Sequence, residues 1–230
     1  ISIPAPNNPL KEIRLVHQLQ NQRKLFISIP NFKHLFTKYE KSIKELLSYQ
    51  KMYRILKFNE RITMREYKKL ILKIPEMSKG ALIGVKARAY QLPLKLKLDN
   101  SLLRFLGYYI AEGHAARKYI IISSDSHETI ADFLSTVKKL NLNCTKRKNS
   151  YDYQISSLLW RNLLAKWCGA HSKSKQLSTF WPQLTNNQLA EILKAYFSGD
   201  GGVEHDKVTC TTSSKQLAQD ISYALMRFNI

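Results

Sequence analysis

Phe105–Gly113 (FLGYYIAEG) and Leu193–Gly201 (LKAYFSGDG) are two apolar stretches that each end in an acidic residue followed by glycine. The two acids, Glu112 and Asp200, are 200 − 112 = 88 residues apart. Each stretch carries small residues at helical spacing, a pattern that predicts two helices able to pack closely against each other.

The offset of 88 residues continues beyond the two stretches and pairs residues of the same character. The matched pairs include Gly107 with Ala195, Tyr108 with Tyr196, Ser124 with Thr212, Phe133 with Ile221, Val137 with Leu225, and Asn141 with Asn229. A chance match of nine residues would not keep this register through a loop, a strand and a second helix. The sequence therefore indicates an internal duplication.

The two acids stand at positions where a carboxylate is costly. A carboxylate at the end of a helix meets the negative pole of the helix dipole, and two of them on facing helices repel each other. A divalent cation would remove both costs, and Mg²⁺ prefers oxygen ligands, so the pair predicts a metal site. We expect the glycine after each acid to end its helix in the left-handed conformation.

The paired stretches resemble the two motifs of the LAGLIDADG (dodecapeptide) homing endonucleases, of the single-chain type found inside inteins and introns. The resemblance covers residues 96–230 and implies an α+β fold. Two pseudo-symmetric αββαββα halves, residues 96–168 and 169–230, would form a DNA-binding saddle. Ile230 matches Leu142 in the repeat, so the second half lacks counterparts of residues 143–167, and we expect truncation or a tail supplied elsewhere.

The resemblance also implies the chemistry at the motif ends. Glu112 and Asp200 would be the catalytic acids and would bind Mg²⁺ (or Mn²⁺), with the carbonyl oxygens of Ala111 and Gly199 as further ligands. Lys175 is similar to a lysine that intein-type members carry before their second motif, where it would polarise water or stabilise phosphate charge. The alternatives are that Lys175 is an ordinary solvated lysine, or that Lys173 takes this role.

Double-stranded DNA would be contacted by strand faces and loops, mostly through its phosphates, and an antiparallel ribbon fits the major groove. The candidate DNA-binding residues are Arg117, Lys118, Lys146, Arg147, Lys148, Tyr151, Asp152, Gln154, Lys173, Lys207 and Thr209. His114 and His205 follow the acids and could line the site, although a surface position is the more usual one for histidine.

The composition agrees with a polyanionic partner. The 230 residues hold 37 Lys and Arg against 17 Asp and Glu, a formal net charge of +20, which favours nucleic acid. The three cysteines are not in metal-binding spacing and suggest an intracellular, reducing compartment, cytoplasmic or organellar. No apolar run approaches the ~20 residues of a membrane span, and no signal peptide is visible.

Residues 1–95 are expected to form a small, basic, mainly helical module, with the domain boundary near residue 95. A helix is predicted from Pro9 to Asn21, helical spacing of apolar residues begins at Asn31, and Thr63–Glu66 has the pattern of a capping box. Leu92–Leu98 alternates apolar and basic residues, as a short strand does. The module is either a packing appendage or an extra DNA-contacting arm of helix-turn-helix type.

The repeat itself predicts an alternation of helices and strands. The expected helices are 101–112, 126–140, 157–167, 186–200 and 214–228, and the expected strands are 118–124, a hairpin around Asn149-Ser150, and 203–212.

Three functions are consistent with the sequence. The first is a monomeric, metal-dependent endonuclease with an internal pseudo-twofold axis, which cuts both DNA strands at a long pseudo-palindromic site. The second is a relative that binds nucleic acid without cutting it, such as an RNA maturase or a transcription regulator. The third is the central endonuclease region of an intein.

Overall fold

The computed structural model describes residues 3–19, 25–58, 61–85 and 90–230. These residues form two compact units, which we call the N-terminal unit (residues 13–96) and the motif unit (residues 3–12 and 97–230). Residues 3–12 thus group with the part of the chain that carries both motifs. Both units mix helices with antiparallel strands, as expected for an α+β protein.

The N-terminal unit contains five α-helices and a four-stranded sheet within the described residues. Its helices are α1 (Leu15–Gln18), α2 (Phe32–Lys38), α3 (Glu40–Leu46), α4 (Tyr49–Phe58) and α5 (Met64–Lys73). Its sheet has the order β3-β2-β4-β5, made of β2 (Leu25–Ser28), β3 (Ile62–Thr63), β4 (Leu82–Val85) and β5 (Gln91–Pro93). Strands β1 (Glu12–Arg14) and β6 (Lys95–Lys97) lie where the two units divide.

Strands β2, β3 and β4 are the main features that the sequence did not predict in the N-terminal unit, whereas the strand predicted over Leu92–Leu98 is observed as two short strands, β5 and β6. Strands of two to four residues are too short for their apolar pattern to be told from that of a helix. The helix predicted over Pro9–Asn21 is also wrong, because strand β1 precedes a helix of only four residues, and Asn21 lies outside the described residues. The capping box is confirmed, since Glu66 N–H donates to the Thr63 hydroxyl at 3.2 Å and Thr63 N–H donates to Glu66 at 2.6 Å.

The motif unit begins with a complete run of seven elements. They are α6 (Asn100–Glu112), β7 (Gly113–Ala115), β8 (Ile120–Ser123), α7 (His127–Lys139), β9 (Cys144–Lys146), β10 (Asp152–Ile155) and α8 (Leu158–Cys168). The four strands form one antiparallel sheet in the order β7-β8-β10-β9. The run follows the predicted αββαββα order, with β7 as a strand that the sequence did not predict.

The second part of the motif unit has four elements in the order αββα. They are α9 (Asn186–Asp200), β11 (Gly201–Glu204), β12 (Lys207–Cys210) and α10 (Lys215–Met226). The single strand predicted over 203–212 is wrong, because the chain reverses at His205, which has a φ of 54°, and β11 pairs with β12 as a hairpin. Asn149 takes the same positive φ, 53°, in the loop between β9 and β10.

Helices α6 and α9 form the core of the motif unit by bringing their backbones into close contact. A Cβ atom added at Gly107 would lie 2.6 Å from the Ala195 Cβ and would overlap the Ile192 carbonyl oxygen. On the other side of α6, the Phe105 ring packs edge-on against Trp160 with 5.4 Å between ring centroids. The small residues of the two motifs therefore serve the close approach that the sequence predicted.

The glycine after each acid is needed for a different reason from the one predicted. Gly113 has a φ of −100° and Gly201 a φ of −84°, so both lie in the extended region and neither helix ends in a left-handed residue. A Cβ at Gly113 would come within 2.6 Å of the Tyr109 carbonyl oxygen, and one at Gly201 would overlap the Phe197 carbonyl oxygen. Crowding by the last helical turn, not backbone strain, excludes a side chain here.

The helices of the described residues include none that combines the length and the apolar character of a membrane span.

Replacing Gly107 with alanine tests the packing of α6 against α9. We expect the free energy of unfolding to fall by about 1–3 kcal/mol, because the added methyl group must push apart two helix backbones that already touch. Urea unfolding provides the measurement. Gly202→Ala is the matched control, since the Cβ there meets only the Thr209 hydroxyl at 3.3 Å. Equal stability of the two variants would contradict this description of the core.

Candidate functional site

The ends of α6 and α9 place Glu112 and Asp200 beside each other. A Cβ atom added at Gly199 would lie 2.7 Å from the Ala111 Cβ and 3.0 Å from the Glu112 Cγ, so the last turns of the two helices are in direct contact. Both acids line one pocket of about 500 Å³. The close approach that Gly107 permits in mid-helix is thus continued to the ends where the carboxylates stand.

Both carboxyl groups resist ionisation in this pocket. Partial burial, together with the negative charges of Asp200 and Asp125, raises the pKa of Glu112 to about 7. Burial raises the pKa of Asp200 to about 6, while the nearby Lys175 acts in the opposite direction. Two acids with raised pKa values at one site favour the neutral carboxyl groups, so the ionised pair is costly at neutral pH.

Lys175 is buried, with only 3 % of its surface exposed. Its ammonium group donates a hydrogen bond to the Tyr109 carbonyl oxygen in the last turn of α6 and lies 3.6 Å from the centroid of the Tyr109 ring. Burial lowers the pKa of Lys175 to about 7, an effect that Cys168 and Asp200 oppose. The alternative of an ordinary solvated lysine is wrong for Lys175, whereas Lys173 is exposed.

The segment that carries Lys175 is fixed by contacts on both sides. Gly169, with a φ of 83°, leaves no room for a side chain against Ser174, and its carbonyl oxygen accepts a hydrogen bond from the Tyr109 hydroxyl at 2.7 Å. The Ser214 hydroxyl donates to the Lys175 carbonyl oxygen. Further along, Leu177 N–H donates to the Asp220 carboxylate at 3.0 Å. The basic loop of the sequence is therefore an ordered support for one lysine.

Several pocket residues were missed by sequence reasoning. The pocket is also lined by His171, Ser172, Thr211, Thr212 and Ser213. The repeat contained a signal for some of them, because its offset of 88 matches Thr212 with Ser124, which directly precedes the Asp125 that acts on Glu112. His114 lines the pocket too, and burial lowers its pKa, so its expected surface position is wrong. His205 is exposed in the β11–β12 turn, as expected for a surface histidine.

Two carboxylates, those of Glu112 and Asp200, are the anionic groups of this pocket that could bind a metal ion. Within the described ranges, no group of three or more His, Cys, Asp or Glu side chains is arranged to hold a metal ion. Ala111 lines the pocket beside Glu112, and Gly199 packs against both of these residues. A cation held here would need carbonyl oxygens, water or a bound substrate to complete its ligands, which suits Mg²⁺ because it usually keeps several waters.

The sheet of the motif unit has one polar face, on which Arg147 makes most of the contacts. Its guanidinium donates to Gln154 at 3.2 Å and to the Tyr119 hydroxyl at 3.1 Å, and it lies 3.6 Å from the Asp152 carboxylate. The Ser123 hydroxyl donates to Asp152 at 2.7 Å, which holds the pKa of that carboxyl below its ordinary value. Arg147, Asp152 and Gln154 therefore form one ordered polar network.

The remaining DNA-binding candidates of the first half divide between faces and loops. Lys146 shares its register row with Ile122 and Tyr153, and Tyr153 packs against Phe133 of α7, so Lys146 lies on the helix-covered side of the sheet and not with Arg147. Lys146 is nevertheless exposed on the edge strand β9, so its contact with DNA stays a prediction. The other first-half candidates are exposed, and these are Arg117, Lys118, Lys148 and Tyr151.

The candidates of the second half lie in the β11–β12 hairpin, apart from Lys173. Lys207 pairs with Glu204 and Thr209 pairs with Gly202, and all four residues are exposed. Lys207 and Thr209 are two residues apart on one strand, so they lie on the same face. Val203 and Val208 occupy the other face.

Comparison with known proteins identifies one family. Residues 187–230, which begin within α9 and include α10, match the family model described as LAGLIDADG-like domain. The matched region contains the second motif with Asp200 and its following hairpin. This match supports the assignment of the chain to the LAGLIDADG homing endonucleases.

The curated relatives of this chain carry several different names and functions. The DNA-directed RNA polymerase subunit Rpo1C of Methanocaldococcus jannaschii is 29% identical over 156 residues, which are 64% of this chain and 18% of the relative. The replication factor C small subunit of the same organism is 26% identical over 57% of this chain and 8% of the relative. The transcription initiation factor IIB of Methanocaldococcus jannaschii is 25% identical over 77% of this chain and 25% of the relative. The chain thus spans a quarter or less of each relative's length.

Neutralising Glu112 tests the electrostatics of the pocket. The pKa of Glu112 is higher in the folded chain than the ordinary value of 4.5, so the folded state holds this proton more tightly and loses stability as the pH rises from about 4.5 to about 7. In metal-free buffer, the free energy of unfolding of Glu112→Gln should therefore exceed that of the unaltered chain by on the order of 1 kcal/mol at pH 8. At pH 4 the two free energies should be equal. Urea unfolding at both pH values measures this.

The exposed Glu128 of α7 gives the control variant Glu128→Gln, which has no buried carboxylate to relieve and should show no such gain at pH 8. If Glu112→Gln showed the same stability difference at pH 4 and pH 8, the raised pKa of Glu112 would be wrong.

Proposed function

We propose that this chain, whose residues 187–230 support its assignment to the LAGLIDADG homing endonucleases, cleaves double-stranded DNA at a specific site in a metal-dependent reaction. The observation that supports this most is the meeting of two motif helices whose terminal carboxyl groups share one pocket and both have raised pKa values. Such an arrangement is unfavourable for folding, which is typical of groups retained for chemistry.

Glu112 and Asp200 would hold Mg²⁺ or Mn²⁺, with the carbonyl groups of Ala111 and Gly199 as further ligands. The fit rests on the donor set, because two half-buried carboxylates that repel each other form the anionic oxygen site that a hard cation prefers. When bound, the cation would supply positive charge for the scissile phosphate and lower the pKa of a coordinated water.

The chain's own residues would position the reacting groups. The Lys175 ammonium group donates a hydrogen bond to the Tyr109 carbonyl oxygen at the end of α6, and the charge of Asp200 acts on its pKa. Lys175 therefore lies beside the acid pair. With a pKa near 7 it can both give and take a proton at neutral pH, which suits it to orient a water molecule or to stabilise charge on phosphate. The pocket hydroxyls of Thr211, Thr212 and Ser213 could hydrogen-bond to phosphate oxygens.

Base recognition would use the polar face of the β7-β8-β10-β9 sheet and the β11–β12 hairpin. The contacts within the Arg147, Asp152 and Gln154 network hold these side chains in fixed positions, and ordered donors and acceptors discriminate between bases better than mobile ones. Exposed Arg117, Lys118, Lys148 and Lys207 would contact phosphates. The 88-residue repeat would then relate two DNA half-sites by a pseudo-twofold axis within one molecule.

The relatives are consistent with an inserted element as the origin of the shared stretch. A polymerase subunit, a replication factor subunit and an initiation factor differ in function, yet each matches this chain over a quarter or less of its own length. We propose that the shared stretch is an intein- or intron-type homing element and that the functions for which those proteins are named belong to the rest of their chains. A relative that binds DNA or RNA without cutting is the rival, and the retention of both acids argues against it.

Removing one carboxylate from the pair should strongly reduce the rate of cleavage. Glu112→Gln or Asp200→Asn should each reduce double-strand cleavage by a factor on the order of 10²–10³ in Mg²⁺, because one anionic ligand of the cation is lost. The measurement is linearisation of a plasmid library with randomised inserts, followed by the rate on a selected site. Glu128→Gln changes an exposed glutamate in the same way and should cleave at the rate of the unaltered chain. Full cleavage by Asp200→Asn would show that the pair is not catalytic.

Buried Lys175 and exposed Lys173 give a second matched comparison. Lys175→Met should reduce the cleavage rate by roughly 10²-fold on the selected site, since methionine fits the buried position but cannot transfer a proton or donate to phosphate. Lys173→Met removes the same charge from the same segment and should change the rate by less than about threefold. Thermal melting of both variants separates lost chemistry from lost fold. If Lys173→Met were the slower variant, the role belongs to Lys173.

A further inference from the structure

Most of the positive charge of the chain lies in the N-terminal unit. Residues 13–96 contain 19 Lys and Arg against 5 Glu and no Asp, which gives 19 − 5 = +14 of the total of +20. The glutamates that the structure describes in this unit are already paired: Glu45 with Lys73 at 2.8 Å, Glu76 with Lys38 at 3.1 Å, Glu40 with Lys44 at 2.5 Å, and Glu66 with Lys51 at 3.9 Å. The excess positive charge of the N-terminal unit is therefore not neutralised by its own carboxylates and favours a negatively charged partner.

Helix α4 is distinguished within this unit by the residues on its outer face. Met52 and Ile55 are buried on the inner side, and Lys51 N–H donates to the Ser48 hydroxyl at 3.3 Å at the start of the helix. The exposed positions follow a spacing of four in two adjacent rows, so they form one continuous face. The first row is Tyr49, Tyr53 and Lys57, and the second is Gln50, Arg54 and Phe58.

This outer face combines basic and exposed aromatic side chains, which suits a polyanion that also offers flat, apolar groups. Tyr49 and Phe58 are 77% and 64% exposed, unusual values for aromatic residues on one short helix. Lys57 donates to the Tyr53 hydroxyl at 2.7 Å and lies over the Tyr53 and Phe58 rings, which are edge-on at 6.0 Å. The face carries no acidic residue, and within the described part of the chain Gln50 and Arg54 make no hydrogen bond or ion pair.

We propose that α4 is a DNA-reading helix that inserts its outer face into the major groove of duplex DNA. An α-helix fits this groove, and 10 residues are about 15 Å long, enough to pass about 4 base pairs. Arg54 presents the bidentate donors that pair with guanine, and Gln50, one turn away, presents the donor and acceptor that pair with adenine. The Phe58 ring packs against a thymine methyl group, and the row of Tyr49, Tyr53 and Lys57 contacts the phosphates along one edge.

This inference extends the proposed function, because it gives the enzyme a reading surface outside the motif unit. The α4 face is a separate surface from the polar sheet face and the β11–β12 hairpin, which belong to the motif unit. The reading helix would add a block of a few base pairs to the recognised sequence, and its loss would leave the chemistry of Glu112 and Asp200 untouched.

The test is selection of bound duplexes by the full chain from a random-sequence double-stranded library, in EDTA so that no cleavage occurs. Three proteins are compared, namely the unaltered chain, Arg54→Ala, and the control Arg65→Ala, which removes an exposed arginine from the first turn of α5. The unaltered chain and Arg65→Ala should enrich the same sequence. Arg54→Ala should lose the preference for guanine at one position, and its affinity for the selected duplex should fall about tenfold or more.

An enriched sequence that Arg54→Ala retains in full would overturn the assignment. The same conclusion follows if the unaltered chain enriches no sequence, or if single-stranded DNA of the same sequence competes as well as the duplex. The experiment is independent of catalysis, since cleavage is assayed separately in Mg²⁺ on the selected duplex. Failure to cleave a duplex that is bound through Arg54 would count against the proposed function and not against the reading helix.

Discussion

The close approach of α6 and α9 is the constraint on which the site depends. Two helix backbones can meet only where side chains are absent or small, and two positions satisfy that condition, Gly107 opposite Ala195 in mid-helix and Gly199 opposite Ala111 at the helix ends. The two chain segments that follow the helices must then start side by side, and the last residues of the helices must share whatever space is left. Glu112 and Asp200 are those residues, so a packing requirement in mid-helix determines where the carboxylates meet.

The same geometry explains the unusual state of three ionisable groups. Burial raises the pKa values of Glu112 and Asp200 and lowers that of Lys175, and in each case the charged form is the disfavoured one. The ammonium group is kept in place by the Tyr109 carbonyl oxygen at the negative end of α6 and by the supporting segment around Gly169. A site in which acid, acid and lysine all have pKa values of about 6 or 7 can change protonation near neutral pH without large cost.

The repeat made much of the motif unit predictable from the sequence. Helix 186–200 was predicted at its observed bounds, and the hairpin around Asn149 was found because Tyr153 and Ile155 alternate with polar residues. The sequence predicts one strand over 203–212 where the structure has a hairpin. The chain reverses at His205, which takes a positive φ, and no glycine or asparagine at that position signals a turn. The burial of Lys175 depends on Tyr109 and Ser214, which are distant in sequence, so the residues next to Lys175 could not have indicated it. Strands β2, β3 and β4 of the N-terminal unit could not be predicted, because an apolar pattern over two to four residues cannot be distinguished from that of a helix.

Glu112 and Asp200 share one pocket, and the negative charge of Asp200 contributes to the raised pKa of Glu112. The most direct measurement is an NMR titration of the Glu112 carboxyl carbon in metal-free buffer, made on the unaltered chain and on Asp200→Asn. The account predicts a pKa near 7 in the unaltered chain and a lower value in Asp200→Asn, because the neighbouring negative charge is gone. A Glu112 pKa near 4.5 that does not respond to the change at Asp200 would contradict the account.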